Sequence, residues 1–235
     1  MIRSALRHMS LALTLVAAPL LPASAGDNPV VLELFTSQGC SSCPPADKLL
    51  HQLAAREDVI ALALHVDYWD YIGWKDEFAS PDYSDRQRVY AAVAGRRTIY
   101  TPQIIVNGTT SIVGARAMEL SDAIQAHKAK AAQISITLER NGDQVGISAT
   151  NAADVGPMIV HVLQYQPERD AKILRGENAG RHLAYANVVQ GWQVLGTWLG
   201  EEPLSANTTV DGDWPVVVLL QEAPQGAILA AARVK

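Results

Sequence analysis

Cysteine is scarce in this chain: Cys40 and Cys43 are the only two in 235 residues, with Ser41 and Ser42 between them. A disulfide at that spacing closes too short a loop to staple a fold, because the stabilisation expected from a crosslink grows with loop length. Without further cysteines, two thiols and scattered histidines make a poor structural zinc set. An apolar run long enough to cross a bilayer, about 20 residues, is missing at the N-terminus. Leu11 to Leu21 is the apolar stretch there, with Arg3 and Arg7 before it and Ala23-Ser24-Ala25 after it. That pattern predicts a secretory signal peptide over residues 1–25. It also predicts a mature chain from about Gly26 with no membrane span, and a periplasmic or secreted address in which a disulfide persists. Positive charge is short as well. Two of the 19 lysines and arginines fall in the signal, which leaves 17 against 24 acidic side chains and a formal charge of −7. Such a balance argues against a nucleic-acid or anionic-membrane partner.

No internal repeat or low-complexity linker divides the rest, yet the pattern changes near residue 132. Over residues 26–131, strand-like runs alternate with helical segments, the signature of an α/β sheet. Val30 to Phe35 and Val59 to Val66 are apolar strand candidates, and Cys43 to Arg56 has a helical pattern. Ser80-Pro81 supplies an N-cap and a first-turn proline and Gly95 a stop, so the spacing predicts a helix over 81–94. Asn107-Gly108 predicts a hairpin between Gln103–Val106 and Ser111–Val113, and Ala117 to Ala131 a closing helix. From 132 to 235 the apolar residues alternate, as in Ile134, Ile136 and Leu138, then Val145, Ile147 and Ala149 after Asn141-Gly142. Further strands are expected over Met158–Tyr165, Asn187–Trp198, Pro215–Gln221 and Ala227–Val234. Together they suggest an antiparallel β-sandwich-like domain with Trp192, Trp198 and Trp214 in its core.

The chemistry centres on the strand, loop, CxxC, helix order. A thiolate at a helix N-terminus is stabilised by free backbone N–H groups and the helix dipole, which lowers its pKa. Cys40 occupies that place. Cys43 is close enough to close the disulfide and to resolve a mixed disulfide, while Pro44 and Pro45 fit a first helical turn. Ser41 and Ser42 are uncharged, so any stabilisation comes from the helix and from hydroxyl or backbone donors. About 60 residues on, Tyr100-Thr101-Pro102-Gln103 immediately precedes a strand.

The separation of Cys40 from Pro102, with a strand and a helix between, is similar to that of thioredoxin-fold proteins, in which a cis proline lies against the CxxC. More closely, Glu33 to Asp47, His65 to Asp70, Gly73-Trp74, Tyr100 to Gln103, Gly176 to Arg181 and Asn187 to Val189 resemble a family of secreted bacterial thioredoxin-like proteins catalogued as a domain of unknown function. The resemblance implies a thioredoxin-like α/β domain and a periplasmic address. It also implies that Thr101 and Pro102 orient a substrate strand and that Glu33 is a candidate for the buried acid that assists proton transfer. Glu33 lies one residue further from the first cysteine than the thioredoxin pattern, and an outward strand position explains it equally. No tryptophan precedes Cys40, and Ser41-Ser42 replaces the dipeptides characteristic of the well-known reductants and oxidants, so the resemblance implies no redox direction.

Beyond the CxxC, His65 to Trp74 combines a histidine, two aspartates and four aromatic rings. It reads either as a substrate platform carrying Asp67, Trp69 and Trp74 beside Ser41 and Ser42, or as an aromatic satellite core with Asp67 capping a turn. His65 and Asp67, two apart on a strand, face one side and make only a weak metal pair, so no metal site and no cofactor is assigned. Arg175, Glu177, Asn178, Arg181 and His182 form a polar loop, either an anion-docking surface or a solvated hairpin.

The expected function is that of a periplasmic thiol-disulfide oxidoreductase or redox-linked binding protein, with Cys40 as nucleophile and Cys43 resolving. Its partners would be a protein or small-molecule thiol or disulfide and a separate redox partner protein. Two alternatives stand: a Cu(I) chaperone using both thiolates, and a non-enzymatic interaction module whose disulfide is dormant.

Overall fold

The computed structural model describes residues 28–151 and 155–235; the signal expected over 1–25 lies outside them. Strand β1 (Val30–Thr36) is buried along its whole length and runs into the Cys40–Cys43 loop and helix α1 (Pro44–Ala54). Strand β2 (Val59–His65), also wholly buried, pairs with β1 in parallel. Continuous apolar runs of this kind are what strands covered on both faces require. A short 3₁₀ turn at Asp70–Ile72 leads to helix α2 (Pro81–Val93), whose N-cap Ser80 accepts from the Asp82 N–H. Strands β3 (Gln103–Val106) and β4 (Thr110–Val113) form the expected hairpin. Asn107 and Gly108 turn it at φ 42° and 73°, values that asparagine and glycine tolerate best. Helix α3 (Ala117–Lys128) closes the first half.

The second half is all strand among the described residues: β5 (Ile134–Asn141), β6 (Gln144–Asn151), β7 (Met158–Lys172), β8 (His182–Trp198), β9 (Leu204–Thr209), β10 (Val216–Glu222) and β11 (Ile228–Val234). The fold is mixed α/β, with a large, mostly antiparallel sheet in the order β11-β10-β7-β8-β2-β1-β3-β4 and a second sheet β5-β6-β9. The large sheet crosses the boundary read near residue 132. Its halves join where β8 runs parallel to β2 at Ala63 and Val188, and the Asn187 amide donates to the Ala61 carbonyl at 2.8 Å. The small sheet lays Ile134, Val145, Ile147 and Ala149 over Val160, Val162, Val216 and Val218 of the large one. Trp198 is in this core and Trp192 half-buried, but Trp214 is 40 % exposed, because it precedes β10 rather than lying in it.

Two faces of the first half position the site. Even-numbered residues of β1, Leu32 and Leu34, pack with Ala46 and Leu50 of α1 and Leu120 and Ile124 of α3. Odd-numbered Val31 and Phe35 pack with Tyr83 and Tyr90 of α2. A fully buried leucine such as Leu50 contributes roughly 1.5–3 kcal/mol, so α1 is held firmly to the end of β1. Among the described residues no helix is long and apolar enough to cross a membrane.

Candidate functional site

The apolar run of β1 ends at Thr36, and the chain turns through Ser37, Gln38 and Gly39, with the Cys40 N–H donating to the Ser37 carbonyl at 3.1 Å. Cys40 and Cys43 are joined by a disulfide, and Cys43 is the N-cap of α1, followed by Pro44 at the first helical position. The Ser42 hydroxyl lies 3.3 Å from Cys40 Sγ, while Ser41 and Ser42 are exposed. Both cysteines are fully buried.

Asp47 lies one helical turn beyond Cys43, so the two side chains share a face of α1, with Cβ atoms about 5–6 Å apart at that spacing. The Thr36 hydroxyl donates to Asp47 Oδ1 at 2.7 Å, and Oδ2 has no protein partner among the described residues. Burial pushes this carboxyl up to about 7, against the opposing pull of His65 and the Thr36 hydrogen bond. Near it, His65 Nδ1 and Asp76 Oδ2 are 2.7 Å apart, both fully buried. Asp76 also accepts the Gln38 N–H at 2.8 Å, which ties the loop before Cys40 to the region beyond β2. Burial alone would raise Asp76, but His65 and the backbone donors of Gln38 and Phe78 outweigh it and hold its carboxyl below the usual range. Neither Asp47 nor Asp76 stands out as a site residue in the sequence. The four-residue step from Cys43 to Asp47 was the available signal for the first; none pointed to the second.

The residues expected at the site divide into three groups. Thr101 and Pro102 reach it: Gln103 pairs with Phe35, which places Pro102 beside the end of β1, and the Thr101–Pro102 peptide is cis. Trp69 Nε1 donates to Thr101 Oγ1 at 2.8 Å, Trp69 also lies against Gly39, and Trp74 Nε1 donates to Gln38 Oε1 at 2.7 Å. These two indoles brace the loops around the disulfide. Asp67 serves elsewhere, bound to Ser84 of α2 through both its N–H and its carboxylate. His65 pairs with Asp76 and not with Asp67, and no cluster of three metal-binding side chains occurs among the described residues.

Glu33 is the residue whose expected placement changes. It is fully buried, but as an odd-numbered residue of β1 it points away from α1, toward α2. There it meets Arg86 Nε at 2.6 Å and the Tyr90 hydroxyl at 2.5 Å. Burial disfavours the Arg86 charge, yet Glu33 holds the guanidinium more firmly protonated than usual. The pair is a structural strut across the sheet from the disulfide, and the buried acid on the disulfide side is Asp47.

The polar loop between β7 and β8 folds over the cysteines. The Asn178 amide donates to the carbonyls of Gln38 and Cys40, each at 2.9 Å, and Glu177 Oε2 accepts the Ser41 N–H at 3.2 Å. Gly176 lies against Ile72 and Trp74, and Arg181 Nη1 donates to Asn178 Oδ1 at 2.9 Å. A contact spanning 138 residues of sequence thus covers the CxxC.

With this geometry stand the family comparisons. A model of the family described as protein of unknown function (DUF1223) matches residues 31–221. The chain belongs to that family. A structural-genomics crystal structure from Agrobacterium tumefaciens is 32% identical, with a TM-score of 0.75 over 87% of this chain and 93% of that one. HBP35 of Porphyromonas gingivalis, 15% identical, aligns over 88% of this chain and 75% of its own with a TM-score of 0.59, a likeness of fold alone. No curated protein matches the chain.

Proposed function

We propose that this DUF1223 protein is a thiol-disulfide oxidoreductase on a thioredoxin-like α/β scaffold, acting in the periplasm or outside the cell. The observation that carries the reading is the Cys40–Cys43 disulfide at the N-terminus of α1, with Asp47 one turn behind Cys43. In the reduced protein the helix terminus and the Ser42 hydroxyl favour the Cys40 thiolate. That thiolate attacks one sulfur of a substrate disulfide; a mixed disulfide forms and the other substrate sulfur leaves as a thiolate. Cys43 then gives its thiol proton to Asp47 and attacks Cys40 Sγ. The Cys40–Cys43 bond reforms, and the second substrate thiolate departs and takes that proton. Two electrons pass from the cysteine pair to the substrate, and a separate thiol-bearing redox partner restores them by the reverse exchange. An acid titrating near neutral pH suits the proton step. Thr101 and Pro102, beside the end of β1, offer backbone to an extended substrate.

A second reading rests on the complete burial of both cysteines: a shielded disulfide that is a structural fixture of an interaction module. Exchange with a disulfide-bonded peptide separates the two. In the catalytic reading, Cys43→Ser accumulates a mixed disulfide through Cys40 and Cys40→Ser is inactive. A Cys40→Ser protein that exchanges as fast as wild type refutes it.

A further inference from the structure

Between α1 and the start of β8 lies a cavity of about 400 Å³, lined on one side by Pro44, Lys48 and His51 and on the other by Arg181, His182 and Leu183. Its size suits a small molecule. Its charge is one-sided. Among the described residues no carboxylate lies within ion-pair distance of Lys48 or Arg181, although Asp47 feels the Arg181 charge; His182 is 2.6 Å from Asp170. The carboxylate set into the wall is Asp47, which burial keeps largely protonated below about pH 7 and which then opposes an anion little. Pro44, Leu183 and the stems of the long basic side chains add an apolar surface, which favours a ligand with a carbon body over a bare inorganic ion.

Arg181 belongs to two structures at once. It borders this cavity, and it holds Asn178 Oδ1 at 2.9 Å while the Asn178 amide holds the carbonyls of Gln38 and Cys40. Guanidinium prefers a carboxylate, with two parallel charge-assisted hydrogen bonds, to a neutral amide oxygen. We propose that this cavity binds a small carboxylate-bearing organic anion, and that by engaging Arg181 the ligand loosens the Asn178 clasp over Cys40. Bound ligand thereby opens the disulfide to exchange. The binding half stands apart from the redox reading; the opening half deepens it.

The probe is S-methylglutathione, which carries two carboxylates and no thiol, titrated into the full-length protein by calorimetry with inorganic phosphate as the second arm. Saturable binding, weakened at least tenfold in Lys48→Gln and Arg181→Gln, is expected. No binding, or binding indifferent to both substitutions, overturns the site; phosphate binding as tightly as the tripeptide overturns the organic-anion assignment. At constant ionic strength, the probe should speed reduction of Cys40–Cys43 by dithiothreitol roughly two- to tenfold, the range expected for loss of one net hydrogen bond. Asn178→Ala should show that acceleration without ligand and no further response. A reduction rate unchanged by saturating probe overturns the ligand-driven opening, and one unchanged by Asn178→Ala overturns the clasp itself. Exchange chemistry at Cys40 is read separately with the cysteine variants, so a failed cavity and a failed redox site are distinguishable.

Discussion

Asp47→Asn tests the buried acid through its linkage to stability. The wild-type carboxyl titrates near 3.8 when unfolded and at about 7 when folded, because burial disfavours its ionised form. Between those pH values the folded protein retains a proton that the unfolded chain has released, so stability falls as pH rises through that window and levels off above about 7. At 1.36 kcal/mol per pKa unit, the shift corresponds to about 4 kcal/mol lost between pH 4 and pH 8. Asparagine removes the ionisation and keeps an oxygen for the Thr36 hydroxyl, so the substituted protein escapes that loss. His65, Asp76, Tyr185 and Arg181 are the charged or titratable neighbours, and they are identical in the two proteins, so they largely cancel in the difference. The assay is thermal unfolding with the disulfide closed, for both proteins, from pH 4 to pH 8.5. At 2–4 °C per kcal/mol for a chain of this size, the asparagine protein should gain roughly 8–16 °C on wild type over that range. A melting difference that stays constant with pH would refute the placement of an ionisable acid in a buried setting behind Cys43.

Three further outcomes follow from the same packing. Arg86→Met leaves Glu33 buried without its cationic partner, with the Tyr90 hydroxyl still donating to it, and should cost about 3–5 kcal/mol in urea unfolding, while the folded fraction exchanges disulfides at the wild-type rate; a large loss of exchange per folded molecule would return Glu33 to the site. Gly108→Ala places a Cβ 2.4 Å from the Gly226 carbonyl at a φ of +73°, and should lower stability by at least about 1 kcal/mol; an unaltered melting temperature contradicts this packing. Trp69→Phe deprives Thr101 of its donor. It should cost about 1–3 kcal/mol and slow peptide-disulfide exchange, whereas an unchanged exchange rate would show that the Thr101 position is immaterial.

Strongly periodic elements were legible from residues. The apolar runs of β1 and β2, Ser80-Pro81 ahead of α2 and Asn107-Gly108 between β3 and β4 each combine a pattern with a local stop or turn, and each element stands where those signals put it. Strand β9 was missed because Leu204 and Ala206 are the apolar residues of a six-residue, partly exposed segment. Strands β7 and β8 extend beyond Met158–Tyr165 and Asn187–Trp198, since Glu168–Lys172 pairs with His182–Ala186 and there buried Ala171 and Tyr185 sit among polar and exposed neighbours that hide the strand pattern. The candidate site was legible where it is local, in the pairing of Cys40 with Cys43 and the step to the helix. Strand alternation shows that Glu33 and Leu34 face opposite ways, but not which face α1 will cover; that choice moved the buried acid from Glu33 to Asp47. The hold of Asn178 on Cys40 depends on a hairpin tip returning over the sheet, and no local pattern encodes such a long-range contact.

The most direct test is the reduction potential of the Cys40–Cys43 pair, measured by equilibrating the protein in graded glutathione buffers and counting alkylated thiols by mass. The account predicts one reversible two-electron transition in the range of exchange catalysts, roughly −120 to −270 mV, lost in Cys40→Ser. A bond that stays closed at potentials below about −300 mV would contradict it and identify the pair as a shielded structural disulfide.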